Sequence, residues 1–272
     1  MRPPIDGGTI LLTGASSGIG VEMANILAPR ARTLILVARR VDRLEHLAQG
    51  LRERFPTLEV AVEPCDLGAP ADVERLVDRV HGKHGTIDVL INNAGMGDVG
   101  LFELTDFAKL KTMIDVNIIG LTLLTRRFLP AMLSQARGGI LNVSSGFGLT
   151  YMPGLATYAA TKHYATCFSE ALRIELAGTG VVVSQLCPGP VPTEFNDIAG
   201  DPFDQKLPKF MEVSATTCAE VAIAKFSQGR AIIIPGFIPW LATTIGARTP
   251  RWLLRIAYAW MGPMMRKRSR PR

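Results

Sequence analysis

The chain has 272 residues, 47% of them apolar and 20% charged, with 26 glycines and a formal charge of +6. Such a composition supports a sizeable core and excludes a disordered or low-complexity chain. Four scattered cysteines (Cys65, Cys167, Cys187, Cys218) without a C-x-x-C exclude a disulfide framework and read as free thiols in a reducing compartment.

The N-terminus, Met1 to Gly8, has no apolar run of signal-peptide length. His46, His81, His84 and His163 lack metal-ligand spacing, so no metal is expected. The positive charge is local: from Phe226 to Arg272 there are nine basic residues and no acidic one, which leaves the body slightly acidic.

Thr9 to Thr13 reads as a short buried strand. It runs into Gly14-Ala15-Ser16-Ser17-Gly18-Ile19-Gly20 and then a helix to about Ala28. Strand, glycine turn and helix is the context of a dinucleotide site. The glycines let the backbone approach a pyrophosphate, and the helix N-terminus offers free N–H groups and a positive dipole end. A plain Gly-rich turn is the alternative.

A second strand, Thr33 to Ala38, ends in Arg39-Arg40. An acidic residue there would hold a ribose 2′-hydroxyl, whereas an Arg accommodates a 2′-phosphate. The pattern therefore favours NADP(H) over NAD, with Arg39 the first candidate and Arg40 the second. Two solvated surface arginines are the alternative.

Val41 to Phe55 looks helical and Leu58 to Pro64 strand-like, which puts Asp66 at a strand's C-terminal edge, within reach of an adenine amino group. Asp72 to Val80 is a helix and Ile87 to Ile91 a fourth strand. Asn92-Asn93-Ala94-Gly95 follows, a polar turn suited to bracing backbone beside a cofactor or simply to forming a loop.

Thr105 to Ala136 reads as one long helix with Asn117 in its middle, where an amide that competes for backbone hydrogen bonds suggests an inward task. Gly139 to Ser144 is a fifth strand. It contains the sequon Asn142-Val143-Ser144, which burial would silence.

The helix from about Leu155 to Ala177 carries Tyr158 and Lys162, four residues apart and so on one face. No other tyrosine has a lysine at that spacing. A phenol titrates near about 10. A neighbouring ammonium is expected to lower that value toward working range. Ser145, at the end of the fifth strand, offers a hydroxyl to a substrate oxygen. The trio can interconvert an alcohol and a carbonyl if a hydride carrier lies alongside, although Y-x-x-x-K alone is common on solvated helices.

Val181 to Cys187 is a sixth strand, followed by Pro188-Gly189-Pro190-Val191-Pro192-Thr193. Glu194 to Val213, polar and interrupted by prolines, reads as a lid. Thr217-x-x-Glu220 resembles a capping box, and Arg230 to Pro235 a seventh strand. The alternation implies an α/β, Rossmann-type, doubly wound and mostly parallel seven-stranded sheet with helices on both faces. The ligand is expected at the strands' C-terminal edge.

With these residues in place the chain resembles the short-chain dehydrogenase/reductase superfamily over about Gly8 to Pro235. The resemblance rests jointly on Thr13-Gly14-x-x-x-Gly18-Ile19-Gly20, Asp66, Asn92 to Gly95, Asn117, Ser145, Tyr158-x-x-x-Lys162, and Pro188-Gly189 with Thr193. It implies that Tyr158 is the general acid/base and that Lys162 lowers its pKa and holds the nicotinamide ribose. It further implies that Ser145 polarises the carbonyl and that Asn117 keeps a relay water near Lys162. Gly14, Ser16, Ser17, Gly18, Ile19 and Gly20 would line the pyrophosphate turn, with Asn93, Ala94 and Gly95 beside them. Asp66 would meet the adenine, and Pro188, Gly189, Val191 and Thr193 the nicotinamide end. A homo-oligomer is expected from the resemblance alone.

The remainder, 236–272, is an apolar and basic extension of a domain spanning 1–235. A membrane-spanning reading of Ala231 to Ala247 is rejected, because a strand takes its first part and Pro235, Gly236 and Pro239 interrupt it. Arg251 to Met261 reads as an amphipathic helix, in the first place one packed over the pocket or against a second subunit. A membrane interface, which its Trp, Tyr and Arg also suit, is the alternative. The acidic body argues against nucleic acid.

The expected activity is NADP(H)-dependent interconversion of a carbonyl and an alcohol on a small, lipophilic substrate in the cytoplasm, with membrane contact through the tail as the secondary expectation. A non-catalytic NADP-binding or membrane-surface regulator is the contrasting reading.

Overall fold

The computed structural model describes residues 1–200 and 211–268. Buried Val, Ile and Leu runs form β1 (Thr9–Thr13), β2 (Thr33–Ala38), β3 (Glu59–Pro64), β4 (Val89–Asn92), β5 (Gly138–Val143), β6 (Val181–Leu186) and the short β7 (Ile232–Ile233). Near-continuous apolar runs suit strands covered on both faces. They pair in the order β3-β2-β1-β4-β5-β6-β7, and every pairing is parallel. The chain winds outward from β1 to β3 and then crosses back to β4. The strand order therefore reverses between β1 and β4, where a crevice opens at the carboxyl ends.

One face is covered by α1 (Gly18–Leu27), α2 (Val41–Arg54) and α8 (Ala215–Ser227), with Met23, Leu44 and Phe226 in a single apolar cluster. The other is covered by α3 (Pro70–His84), α5 (Leu121–Ser134) and α6 (Ala156–Glu175), with Leu76, Phe128 and Leu172 in a second. The sheet core also holds polar groups. Asn92 Nδ2 donates to Asn142 Oδ1 at 2.9 Å and to Thr125 Oγ1 at 3.1 Å, and Asn142 Nδ2 donates to Ser169 Oγ at 2.9 Å. The sequon asparagine is thus fully buried inside β5.

Several expected elements differ from the structure. The helix expected over Thr105 to Ala136 is α4 (Phe107–Ile114), a π-helical turn over Asp115–Gly120, and α5. The wider turn carries Asn117 inward and brings Gly120 against the Leu67 carbonyl, 2.6 Å from where a Cβ would stand. Helix α3 starts at Pro70, ahead of Asp72, because a proline at the first turn needs no N–H partner.

The cap of α8 is Ser214, whose hydroxyl accepts from Thr217 N at 3.0 Å, so the Thr217-x-x-Glu220 box lies inside the helix. Strand β7 keeps two of the six expected residues, pairing only at Ile232 and Ile233 before Pro235.

Beyond it run α9 (Phe237–Arg248), α10 (Arg251–Tyr258) and α11 (Met261–Arg268), in place of one amphipathic helix to Met261. Pro239 sits in the first turn of α9, where it is tolerated rather than disruptive. No helix among the described residues is long and apolar enough to cross a membrane. Much of the expected lid, 201–210, lies outside the described residues; its start forms α7 (Glu194–Ala199).

Candidate active site

At the β1 end the chain turns so tightly that glycine is required. Gly14 has φ +67, and a Cβ on Gly20 would lie 2.1 Å from the Gly14 carbonyl oxygen. No side chain caps the start of α1 at Ser17, so the first-turn amides of Gly18, Ile19 and Gly20 remain available to an anion.

Across the crevice, Thr13 Oγ1 accepts from both Asn93 N and Ala94 N at 3.0 Å. Asn93 Nδ2 returns hydrogen bonds to the carbonyls of Thr13 at 3.0 Å and Gly14 at 3.2 Å. The two strand ends that flank the reversal are thus stapled together. Thr193, arching over from β6, would touch any Cβ on Gly18 at 3.0 Å. This cradle fits a dinucleotide pyrophosphate: its glycines keep the floor clear, and its amides are uncapped.

At the β2 end the two arginines differ. Arg39 is exposed. Arg40 lies against the Gly-rich turn, with Nη2 donating to Ser16 Oγ at 3.2 Å and Nη1 reaching Glu194 at 2.9 Å. Arg43 Nη1 meets the same carboxylate at 2.6 Å, and the two guanidiniums hold Glu194 below the usual carboxylate range. The sequence reading missed Arg43, although its position one turn after Arg40 was a usable signal. Asp66 stands just past β3 and turns Oδ1 back to Gly68 N at 3.1 Å.

Strand β5 and helix α6 deliver the reacting groups. Ser145, Tyr158 and Lys162 are all buried. Lys162 Nζ donates to the Val143 carbonyl at 2.9 Å and lies 5.9 Å from the Tyr158 ring centroid. Gly95 brings backbone beside both Lys162 Nζ and Asn117 Oδ1, 3.2 and 3.4 Å from a would-be Cβ. Asn117 braces rather than dangles: Oδ1 accepts from Met96 N at 2.8 Å, and Nδ2 donates to Met96 O at 2.9 Å and Thr161 Oγ1 at 3.0 Å.

The expected depression of the Tyr158 pKa is absent. Burial pushes Tyr158 up to about 12, and its hydrogen bond with Ser145 offsets only part of that. Burial likewise brings Lys162 down to about 8. Desolvation disfavours both charged forms, and the ammonium is aimed at the Val143 carbonyl. At neutral pH Tyr158 is therefore a neutral phenol, able to give a proton.

The substrate side is closed by residues distant in sequence. Phe195 of α7 lies 5.7 Å from the Tyr158 ring and fills the space over Gly97. Pro239 and Thr243 of α9 pack over Gly189 and Gly146, 2.6 and 3.0 Å from where their Cβ atoms would be. Gly146 N donates to the Pro188 carbonyl at 2.8 Å, which ties that cover to Ser145's neighbour, and Val191 is buried. No local pattern announces Phe195, Pro239 or Thr243. An open recess of about 410 Å³, lined by Tyr151, Ala159, His163 and Arg251, faces the opposite side of α6 and is separate from the catalytic group.

Comparison with known proteins gives one consistent result. The family model described as short chain dehydrogenase matches residues 8–201. An NADP-dependent 3-hydroxy acid dehydrogenase of Schizosaccharomyces pombe is 38% identical over 197 residues, covering 71% of this chain and 74% of that protein. The 11-beta-hydroxysteroid dehydrogenase 1A of Arabidopsis thaliana is 35% identical over 226 residues, covering 79% of this chain but only 64% of that longer protein. A short-chain dehydrogenase from Sphingobium yanoikuyae, solved in complex with NADPH, superposes with a TM-score of 0.79. It is 32% identical and covers 94% of this chain and 95% of its own.

Proposed function

The chain belongs to the short-chain dehydrogenase family and is a nicotinamide-dinucleotide-dependent oxidoreductase; from that premise we propose that it is an NADP(H)-dependent reductase of lipophilic ketones or aldehydes. The observation that carries the reading is the convergence of Ser145, Tyr158 and Lys162, buried together at the carboxyl edge that the Gly14–Gly20 turn opens.

NADP(H), when bound, supplies the hydride. Every other part of the step belongs to the chain. The Gly14–Gly20 turn and the first amides of α1 would hold the pyrophosphate. Arg40 and Arg43, which share the Glu194 carboxylate, would take the 2′-phosphate. Ser145 orients the substrate oxygen, and Tyr158 protonates it from the neutral state its burial enforces. Lys162, anchored on Val143, keeps a positive charge beneath the phenol. Asn117 fixes the loop that passes over that lysine.

Residues 1–235 form the catalytic domain and 236–272 its extension. A lipophilic substrate is supported by the apolar cover of Phe195 and Pro239, and by the hydroxysteroid dehydrogenase relative.

Titration of the purified protein with NADPH and NADH, read by nicotinamide fluorescence, tests the cofactor assignment. Tighter NADPH binding that is weakened in Arg40→Gln supports it. Equal binding of both nucleotides overturns the NADP preference, and binding of neither overturns the site.

A further inference from the structure

We propose that the outward face of α9 and α10 is a docking surface for an anionic lipid bilayer. The proposal deepens the lipophilic-substrate reading, yet it stands on different residues.

Both helices are pinned by one side only. On α9 that side is Pro239 and Thr243, both buried. On α10 it is Tyr258, whose ring meets Tyr151 at 6.1 Å, and the Arg251 carbonyl, which accepts from Tyr151 Oη at 3.2 Å. The opposite sides carry large apolar groups in the open. Phe237, Trp240, Leu241 and Ile245 recur at helical spacing on α9, with Phe237 73% and Ile245 57% exposed. Trp252, Leu253 and Ile256 share one arc of α10, with Trp252 59% and Ile256 65% exposed.

Exposed Arg248, Arg251 and Arg255 flank these stripes, and no acidic residue follows Glu220 in the chain. Tryptophan and arginine around an apolar stripe, on helices too short to span, is the pattern of helices that lie in a membrane interface.

Charge selects the occupant. A second copy meeting this face by two-fold symmetry would set the same arginines against each other. Phosphodiester backbones match the arginines but leave the tryptophans and isoleucines in water. An anionic bilayer takes both, with headgroups for the cations and acyl chains for the rings. The inner face of α9 covers Gly146 and Gly189 beside Ser145, so the bilayer would sit beside the substrate side of the enzyme.

The chain carries its own probe. Its three tryptophans are Trp240, Trp252 and Trp260, all in this segment. Intrinsic fluorescence of the full-length protein therefore reports on this segment, two of the three rings standing on the proposed surface. Phosphatidylcholine vesicles containing phosphatidylglycerol are expected to shift the emission to the blue and to carry the protein down on sedimentation. Pure phosphatidylcholine should do neither, and salt near about 1 M should weaken both effects.

Arg251→Gln with Arg255→Gln is expected to lower vesicle affinity roughly tenfold or more, and Ile256→Gln to weaken it further. NADPH titration should be unchanged in each variant, which separates this surface from the cofactor site. No shift with anionic vesicles, an equal shift with neutral ones, or a concentration-dependent blue shift without lipid would each overturn the proposal, the last in favour of self-association.

Discussion

The two walls of the catalytic crevice are built in opposite ways. The nucleotide wall, from β1 through the Gly-rich turn to β4, is over-determined. Its strands are buried, its glycines are held at contact distance by their neighbours, and four hydrogen bonds join Thr13 and Gly14 to Asn93 and Ala94 across the strand reversal. The substrate wall is assembled from α7 and α9, which touch the body through a few side chains, with α9 exposing much of the rest. On the proposed function the first would recognise a ligand part that does not vary, so rigidity serves it. The second would contact the part that distinguishes one substrate from another, and a wall attached by few contacts can diverge without unfolding the sheet.

Substitutions on the two walls, and at the catalytic group between them, should therefore separate binding, turnover and stability. The largest effect is expected at Tyr158. Tyr158→Phe should lower turnover by about 10²–10⁴-fold and leave NADPH affinity unchanged. Retention of a near-normal rate would remove Tyr158 as the proton donor.

On the nucleotide wall, Arg40→Gln removes charge-assisted contacts worth about 1.5–3 kcal/mol. It should weaken NADPH binding about 10–100-fold with little change for NADH. Arg39→Gln should do less; the reverse ranking would restore Arg39 as the principal contact.

Gly20→Ala drives a Cβ into the Gly14 carbonyl and should cost about 1–3 kcal/mol in denaturant unfolding as well as nucleotide affinity. Thr243→Ala, on the substrate wall, should leave NADPH affinity unchanged. A change in NADPH affinity as large as that in Gly20→Ala would erase the contrast between the walls.

A pH experiment addresses Lys162. Its folded pKa, about 8, lies below the unfolded value of 10.5, so above pH 8 the unfolded state binds more protons. Stability should therefore rise with pH from about 8 to 9 and lose that rise in Lys162→Met. Buried Cys65, Cys187 and Cys218, raised from 9.0 to about 12, act in the opposite direction above about pH 9, and Tyr158, raised to about 12, joins them above 10. A flat melting profile in the wild type over the lower window would show that the ammonium is better solvated than its burial implies.

The smallest effect is expected far from either wall. Gly50, inside α2 with open space where its Cβ would point, should gain roughly 0.5–1 kcal/mol on replacement by Ala.

Local chemistry made much of this molecule legible. The strand β1, the glycine turn and β2 can be read directly because their causes are local: apolar runs for strands, and glycine where a Cβ has no room. The helical spacing of Tyr158 and Lys162, and the odd presence of Asn117 inside a helix, are local facts of the same kind. The sequence by itself therefore determined the doubly wound class, the cofactor edge and the identity of the buried trio.

What it could not determine were effects that arise between distant segments. The π-helical turn at Asn117 depends on Leu67 and Met96. The placing of Arg40 and Arg43 against the Gly-rich turn, while Arg39 stays exposed, depends on Ser16 and Glu194. The upward shift of Tyr158 depends on how deeply the assembled crevice desolvates it, against which only its hydrogen bond with Ser145 acts. The covering of Ser145's neighbour by α9 depends on a segment nearly a hundred residues away. Periodicity and turn chemistry are properties of the chain, whereas burial, dielectric and long-range contact exist only once the chain has folded.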